Sequence, residues 1–120
     1  RRVILLVIDG GNRGTLDGKT VTMKEIRQRA VQFVEANGKG HLIQLQTDRK
    51  ASYDTYLHVQ DQLVAAYNAV RNRRSSGLFG KTFDQCSREQ QDQVASEVPI
   101  RITEVYAVGG LEKTVKGGGR

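Results

Sequence analysis

From His41 to Tyr67 the chain reads HLIQLQTDRKASYDTYLHVQDQLVAAY, a strand running through a polar turn into a long amphipathic helix. That order restricts the fold more than any other feature. A strand with alternate apolar residues has one face to bury, and the helix after it has one stripe to bury against that face. Ile43 and Leu45 are the inward residues of the strand, which alternates from Ile43 onward. After Thr47-Asp48-Arg49-Lys50, Ser52 is placed to cap the helix. The apolar stripe is Tyr56, Val59, Leu63, Tyr67 and Val70. Arg71, Arg73 and Arg74 then crowd the expected C-terminal end, where cations complement unsatisfied carbonyls. Ser75-Ser76-Gly77 breaks the pattern.

The flanking segments supply the other layers. Val3 to Ile8 is β-branched-rich and apolar on both faces, so it reads as a strand buried on both sides or paired at an interface. Asp9-Gly10-Gly11-Asn12 and Asp17-Gly18 are turn signals, giving a hairpin followed by a second tight turn. Thr22-Met23-Lys24-Glu25 is a capping box, and Val21 with Ile26 forms a hydrophobic staple. Ile26, Ala30, Phe33 and Val34 make the first helical stripe, stopped by Asn37-Gly38. Ser87-Arg88-Glu89-Gln90 opens a short polar surface helix that Pro99 ends, with Val94 and Val98 as its apolar contacts. Ile100 to Val108 is the expected last strand, and 109–120 the expected flexible Gly/Lys-rich tail. The predicted class is α+β: a small mixed β-sheet with two main helices packed on one face, plus a short extra helix in an insertion before the last strand.

Composition narrows the function. A chain of 120 residues can bury roughly two thirds of its unfolded surface, so one domain needs neither disulfide nor metal, and Cys86 has no partner. The longest apolar run is Val3 to Ile8, against the roughly 20 residues of a membrane-crossing helix. The start at Arg1-Arg2, running directly into a strand, leads us to expect a fragment of a longer protein. The net charge of +6 admits nucleic acid, an acidic membrane or an anionic polymer as partner. Aromatics at 6% are too few for an obvious base-stacking platform.

No spacing points to chemistry. Gly80-Lys81-Thr82 ends like a phosphate loop, but Ser75 stands where the motif needs Gly, and a helix leads in where it needs a strand. Gly11-Asn12-Arg13-Gly14 has the spacing of a KH-type backbone clamp, yet it joins two strand-like segments. His58 shares a helix face with Asp54 and Asp61, a pattern that more often makes a solvated surface than a metal site. No nucleophile–base set is suggested, and Asp9, Asp17, Asp48 and Asp54 sit where carboxylates accept backbone amides. The residues alone therefore predict no catalytic residue, metal or cofactor.

The central segment also resembles a known family. Thr47-Asp48-Arg49, then Ala51-Ser52-Tyr53, then Val59-Gln60-Asp61-Gln62-Leu63 align without a gap to the pattern of the periplasmic domain of ExbD/TolR proteins. Asp48, Arg49, Tyr53, Asp61 and Leu63 match by residue or type. Leu16 to Val21 followed by the Thr22–Glu25 box is similar to the family's hairpin and first helix, and Ile100 to Val105 takes the place of the final strand. Ser52 stands where Pro is usual, and residues 71–99 are much longer than the family's usual connection. That insertion resembles the one in Bacteroidetes-type ExbD-like proteins, through Asn72-Arg73-Arg74, Phe79-Gly80 and Ser87-Arg88-Glu89-Gln90-Gln91.

The resemblance implies a single domain over residues 1–108, with 71–99 as its extended insertion. It implies a non-enzymatic role in the periplasm, as the soluble part of a single-pass inner-membrane protein. The domain would be a homodimer, tethered by an absent N-terminal transmembrane helix to an ExbB/TolQ-like channel protein. It would pass movement to a TonB-like protein, with peptidoglycan as a further expected contact and no nucleic acid. The candidate partner-binding residues are Val3, Leu5, Val7, Asp48, Arg49, Tyr53 and Asp54. An unpaired edge at Val3–Ile8 or Ile100–Val108 would accept an added strand, unless neighbouring segments cover both. The alternative function is a small basic nucleic-acid-binding α/β module, with the Arg71–Arg74 cluster as its anion contact.

Overall fold

The computed structural model describes residues 2–108 and 111–116. Strand β1 (Val3–Ile8) turns into β2 (Gly14–Leu16) and β3 (Lys19–Val21), followed by helix α1 (Met23–Asn37) and a 3₁₀ turn at Gly38–Gly40. Strand β4 (Leu42–Thr47), helices α2 (Tyr53–Phe79) and α3 (Arg88–Glu97), and strands β5 (Ile102–Val108) and β6 (Leu111–Lys116) complete the chain. They form one six-stranded mixed sheet in the order β3-β2-β1-β4-β5-β6. β1, β4 and β5 run parallel, and the β1–β2, β2–β3 and β5–β6 pairs are antiparallel. The α+β class with two main helices over one sheet face, and a short helix in the insertion, is what the sequence predicts.

Local chemistry explains the element boundaries. Asp17 and Gly18 both take positive φ, 51° and 88°, as a two-residue hairpin turn requires. The Thr22 hydroxyl accepts the Glu25 amide while Glu25 accepts the Thr22 amide, closing the α1 capping box. Ser52 caps α2 through the Thr55 amide, and Ser87 with Gln90 forms the second box, at α3. The core lies between sheet and helices. Ile4, Leu6 and Ile8 of β1 and Ile43 and Leu45 of β4 meet Ile26, Ala30 and Val34 of α1 and Val59, Leu63 and Val70 of α2. Phe33 and Tyr56 are only partly buried at its margin.

Three expectations are corrected. α2 does not stop after Arg74; it continues to Phe79 and ends where Gly80 adopts φ 68° and donates its amide to the Ser76 carbonyl. Ser75 is fully buried inside this longer helix, so packing overrides the breaker composition of Ser75-Ser76-Gly77. The arginine cluster consequently lies within the helix rather than at its C-terminus. Second, the expected tail contains a strand: Leu111–Lys116 pairs antiparallel with β5, so the insertion precedes the penultimate strand. Residues 109–110 and 117–120 of that tail lie outside the described residues. Third, neither proposed edge is an edge. β1 is hydrogen-bonded to β2 and β4, and β5 to β4 and β6. Neighbouring segments cover both, and among the described residues the outer strands are β3 and β6.

Candidate functional site

The candidate residues fall in two places. Val3, Leu5 and Val7 alternate with the core residues of β1, so they point away from the helices. In the parallel register Val3 lies beside Leu42, Leu5 beside Gln44 and Val7 beside Gln46. Together with Thr15 beside Val7, and with Thr103 beside Gln44, they form a stretch of sheet face opposite the helices, bordered by Asp17, whose carboxylate accepts the Leu5 amide, and by Lys116, which is registered with Thr103. Val3 is 44% exposed, while Leu5, Val7 and Leu42 are half-buried. Neither Leu42 nor Thr103 was among the residues expected from the sequence. Parity along β4 and β5 is the signal that places them here, once the register with β1 is known.

Asp48, Arg49, Tyr53 and Asp54 lie elsewhere, in the loop and first helical turn beyond the C-terminal end of β4. The Asp48 amide donates to the Ile8 carbonyl at 2.9 Å, and its carboxylate accepts the Lys50 amide at 2.8 Å. That makes Asp48 a turn-forming residue. Across from it, the Asp9 carboxylate accepts the amides of Gly11 and Arg13, both at 2.9 Å. These bonds, the Arg13 amide foremost, hold its pKa below the ordinary 3.8. Arg49 and Asp54 are exposed. Tyr53 is 72% exposed and stacks on Tyr56 with ring centres 6.1 Å apart. Tyr56 in turn donates its hydroxyl to the Glu104 carboxylate. This rim and the bare sheet face are separate surfaces, and the fold does not join them into one pocket.

The remaining sequence candidates resolve as architecture. Asp54, His58 and Asp61 are all exposed on α2, and no group of three or more metal-ligating side chains occurs among the described residues. Gly80-Lys81-Thr82 leaves a helix, and Gly11 to Gly14 belongs to the β1–β2 turn. Arg73 and Arg74 pair with Glu35 and Glu97. Arg71 donates Nε–H to the Val98 carbonyl at 3.0 Å and lies over the Phe83 ring. Two of the three arginines are thus already neutralised by carboxylates, which weakens the cluster as an anion site. The grooves are small or open. One of about 130 Å³ lies between α2 and the start of β5, lined by Gln60, Val64, Tyr67, Ile102 and Glu104. No helix among the described residues is long and apolar enough to cross a membrane.

At the opposite end of the strands, His41 is fully buried and hydrogen-bonded to the Tyr67 hydroxyl. Its burial gave no sequence signal beyond its place just before β4. Comparison with protein-family models and with curated proteins gives no match, so the ExbD/TolR resemblance rests on the residues of this chain.

Proposed function

We propose that this chain is a non-enzymatic periplasmic domain of an ion-driven inner-membrane motor of the ExbB–ExbD or TolQ–TolR type. It assembles as a homodimer and passes motor movement to a TonB-like partner, for outer-membrane transport or envelope maintenance. The observation that supports the reading best is the bare sheet face carrying Val3, Leu5, Val7 and Leu42. Parallel strands are ordinarily covered on both faces, and here the trio β1, β4 and β5 has helices on one face only. Val3, Leu5, Val7 and Leu42 gather four apolar side chains on that face, which is the kind of surface a second copy can cover. Because β1 has no free edge, assembly through Val3, Leu5 and Val7 is face to face and not by strand addition to β1.

The test is solution mass by light scattering across concentration, for the native chain and for Leu5→Glu. Concentration-dependent dimerisation that the charge abolishes is the expected result. A native chain that stays monomeric, or a variant that dimerises equally well, overturns assembly through this face. Motor coupling is read separately, by in-cell crosslinking from Tyr53 in the full-length protein to a TonB-like partner. Absence of any adduct from the rim and the open face alike overturns the transduction role.

A further inference from the structure

We propose that the His41 ring is an acid-operated latch at the strand-entry end of the fold. Taking up a proton breaks the hydrogen-bond chain that ties α1, α2 and the starts of β4 and β5 together. The inference stands on the geometry of this chain alone and is independent of the motor reading.

The direction of every proton in the chain is fixed by chemistry. His41 Nδ1 lies 2.6 Å from the Gly38 carbonyl, which can only accept, so Nδ1 carries the hydrogen. In the neutral ring Nε2 is then an acceptor, and the Tyr67 hydroxyl donates to it at 2.5 Å. The Tyr67 oxygen accepts the Arg101 amide at 3.2 Å, and Arg101 Nε–H donates back to the His41 carbonyl at 2.9 Å. Phe33 packs edge-on against the ring at 6.1 Å. His41 is 0% exposed and Tyr67 2%, and of the two Tyr67 borders the small groove beside α2.

A second proton reverses one link. Nε2–H becomes a donor facing a hydroxyl that was itself donating, so the hydroxyl hydrogen must turn out of that line and the link as built is lost. The charged groups around the pair offer no compensation. Arg101 precedes β5, Arg71 approaches Tyr67 from α2, Arg2 lies beside Gly40, and Lys39 belongs to the adjoining 3₁₀ turn. All are cations. Glu97, the carboxylate at the end of the packed α3, is held by Arg74. Burial first, opposed by the Gly38 hydrogen bond and joined by the charge of Arg101, holds the His41 pKa below the ordinary 6.5.

The location gives the latch its reach. The Leu42 amide donates to the Arg2 carbonyl and the Ile43 amide to that of Arg101, so the starts of β1, β4 and β5 converge on His41. The bare face and the Asp48–Asp54 rim lie beyond its contacts.

The sign follows from proton counting. Below 6.5 the unfolded chain protonates this imidazole while the folded one does not, so the unfolded state binds more protons. The stabilisation is complete above 6.5 and declines as pH falls, until the folded ring itself protonates. The expected readout is an unfolding constant that approaches a tenfold rise per pH unit in that window.

The experiment is ¹⁵N-imidazole NMR of the full chain from pH 8 to 4.5, with His58→Gln to assign the two rings, alongside urea unfolding of native and His41→Gln chains. The expected outcome is an Nδ1–H tautomer with no titration near 6.5, a pH-dependent unfolding constant in the native chain, and a flat one in the variant between 7.5 and 5. An Nε2–H tautomer, a His41 titration at or above 6.5, or a native unfolding constant that is flat over this range overturns the latch. The NMR result decides even if His41→Gln does not fold.

Discussion

The Asn12 side-chain carbonyl accepts the Ser52 backbone N–H at 2.7 Å, joining the β1–β2 turn to the N-cap of α2 across 40 positions of sequence. Asn12 also stands at φ 65°, a conformation that Asn tolerates better than most residues. The single residue therefore shapes the turn and anchors the helix that carries the exposed rim. The two roles can be separated. Asn12→Gly keeps the backbone conformation and loses the hydrogen bond, with an expected cost of about 0.5–1.5 kcal/mol. Asn12→Ala loses both, adding roughly 1–2 kcal/mol for the left-handed backbone. Equal costs for the two substitutions in urea unfolding would show that the backbone conformation contributes nothing.

The length of α2 is open to a paired glycine test. Gly77 lies inside the helix with open space where a Cβ would sit, so Gly77→Ala should stabilise by about 0.5–1 kcal/mol. Gly80 also has open space, but its φ of 68° strains any Cβ, and Gly80→Ala should destabilise by roughly 1–2 kcal/mol. Had the helix ended at Ser75-Ser76-Gly77, the order of the two effects would reverse. Thermal or urea midpoints of the two variants decide the matter.

Core and surface faces of the same helix differ as sharply. Leu63 is 1% exposed and Val64, the next residue, 54%. Leu63→Ala should cost about 2–5 kcal/mol. Val64→Ala should stay within roughly 0.5 kcal/mol. A comparable loss from both would mean that the α2 face against the sheet is wrongly assigned.

The legible parts of this fold are those whose signal is local. The capping boxes at Thr22 and Ser87, the Asp17-Gly18 turn and the Ile43/Leu45 alternation each depend on residues within a few positions. The end of α2 was not legible, because Ser75 is held in the helix by burial. The position of β1 in the sheet was not legible either. Val3–Ile8 is apolar throughout, which suits a central strand and an interface strand equally, and only the pairing to Leu42–Thr47 places it. The same register turns Val3, Leu5 and Val7 from supposed edge residues into a face, and adds Leu42 to them. His41 and Tyr67, 26 positions apart, meet only because the sheet and α2 have packed.

The acid limb of stability should come from carboxylates that accept backbone or arginine donors. Glu25 is held below the ordinary 4.5, first by the Thr22 amide, and Glu97 first by the Arg74 side chain. Asp9 lies below 3.8, first through the Arg13 amide. In each case the folded carboxyl binds its proton less readily than the unfolded one. The contribution is therefore fully present above the unfolded value and is lost as pH falls through the depressed folded one. Urea midpoints should decline below pH 4.5, and the His41→Gln chain should keep this limb. Glu25→Gln keeps an acceptor for the Thr22 amide but cannot titrate, so its midpoint should start slightly lower at pH 7 and fall less steeply between 4.5 and 3. All three carboxylates are at the surface, so raising the salt should shrink the Arg74 part and leave the backbone hydrogen bonds of Glu25 and Asp9 nearly unchanged. An acid limb that is identical in Glu25→Gln, or one that salt abolishes, would show that the charge on the whole chain, and not these hydrogen bonds, sets its acid stability.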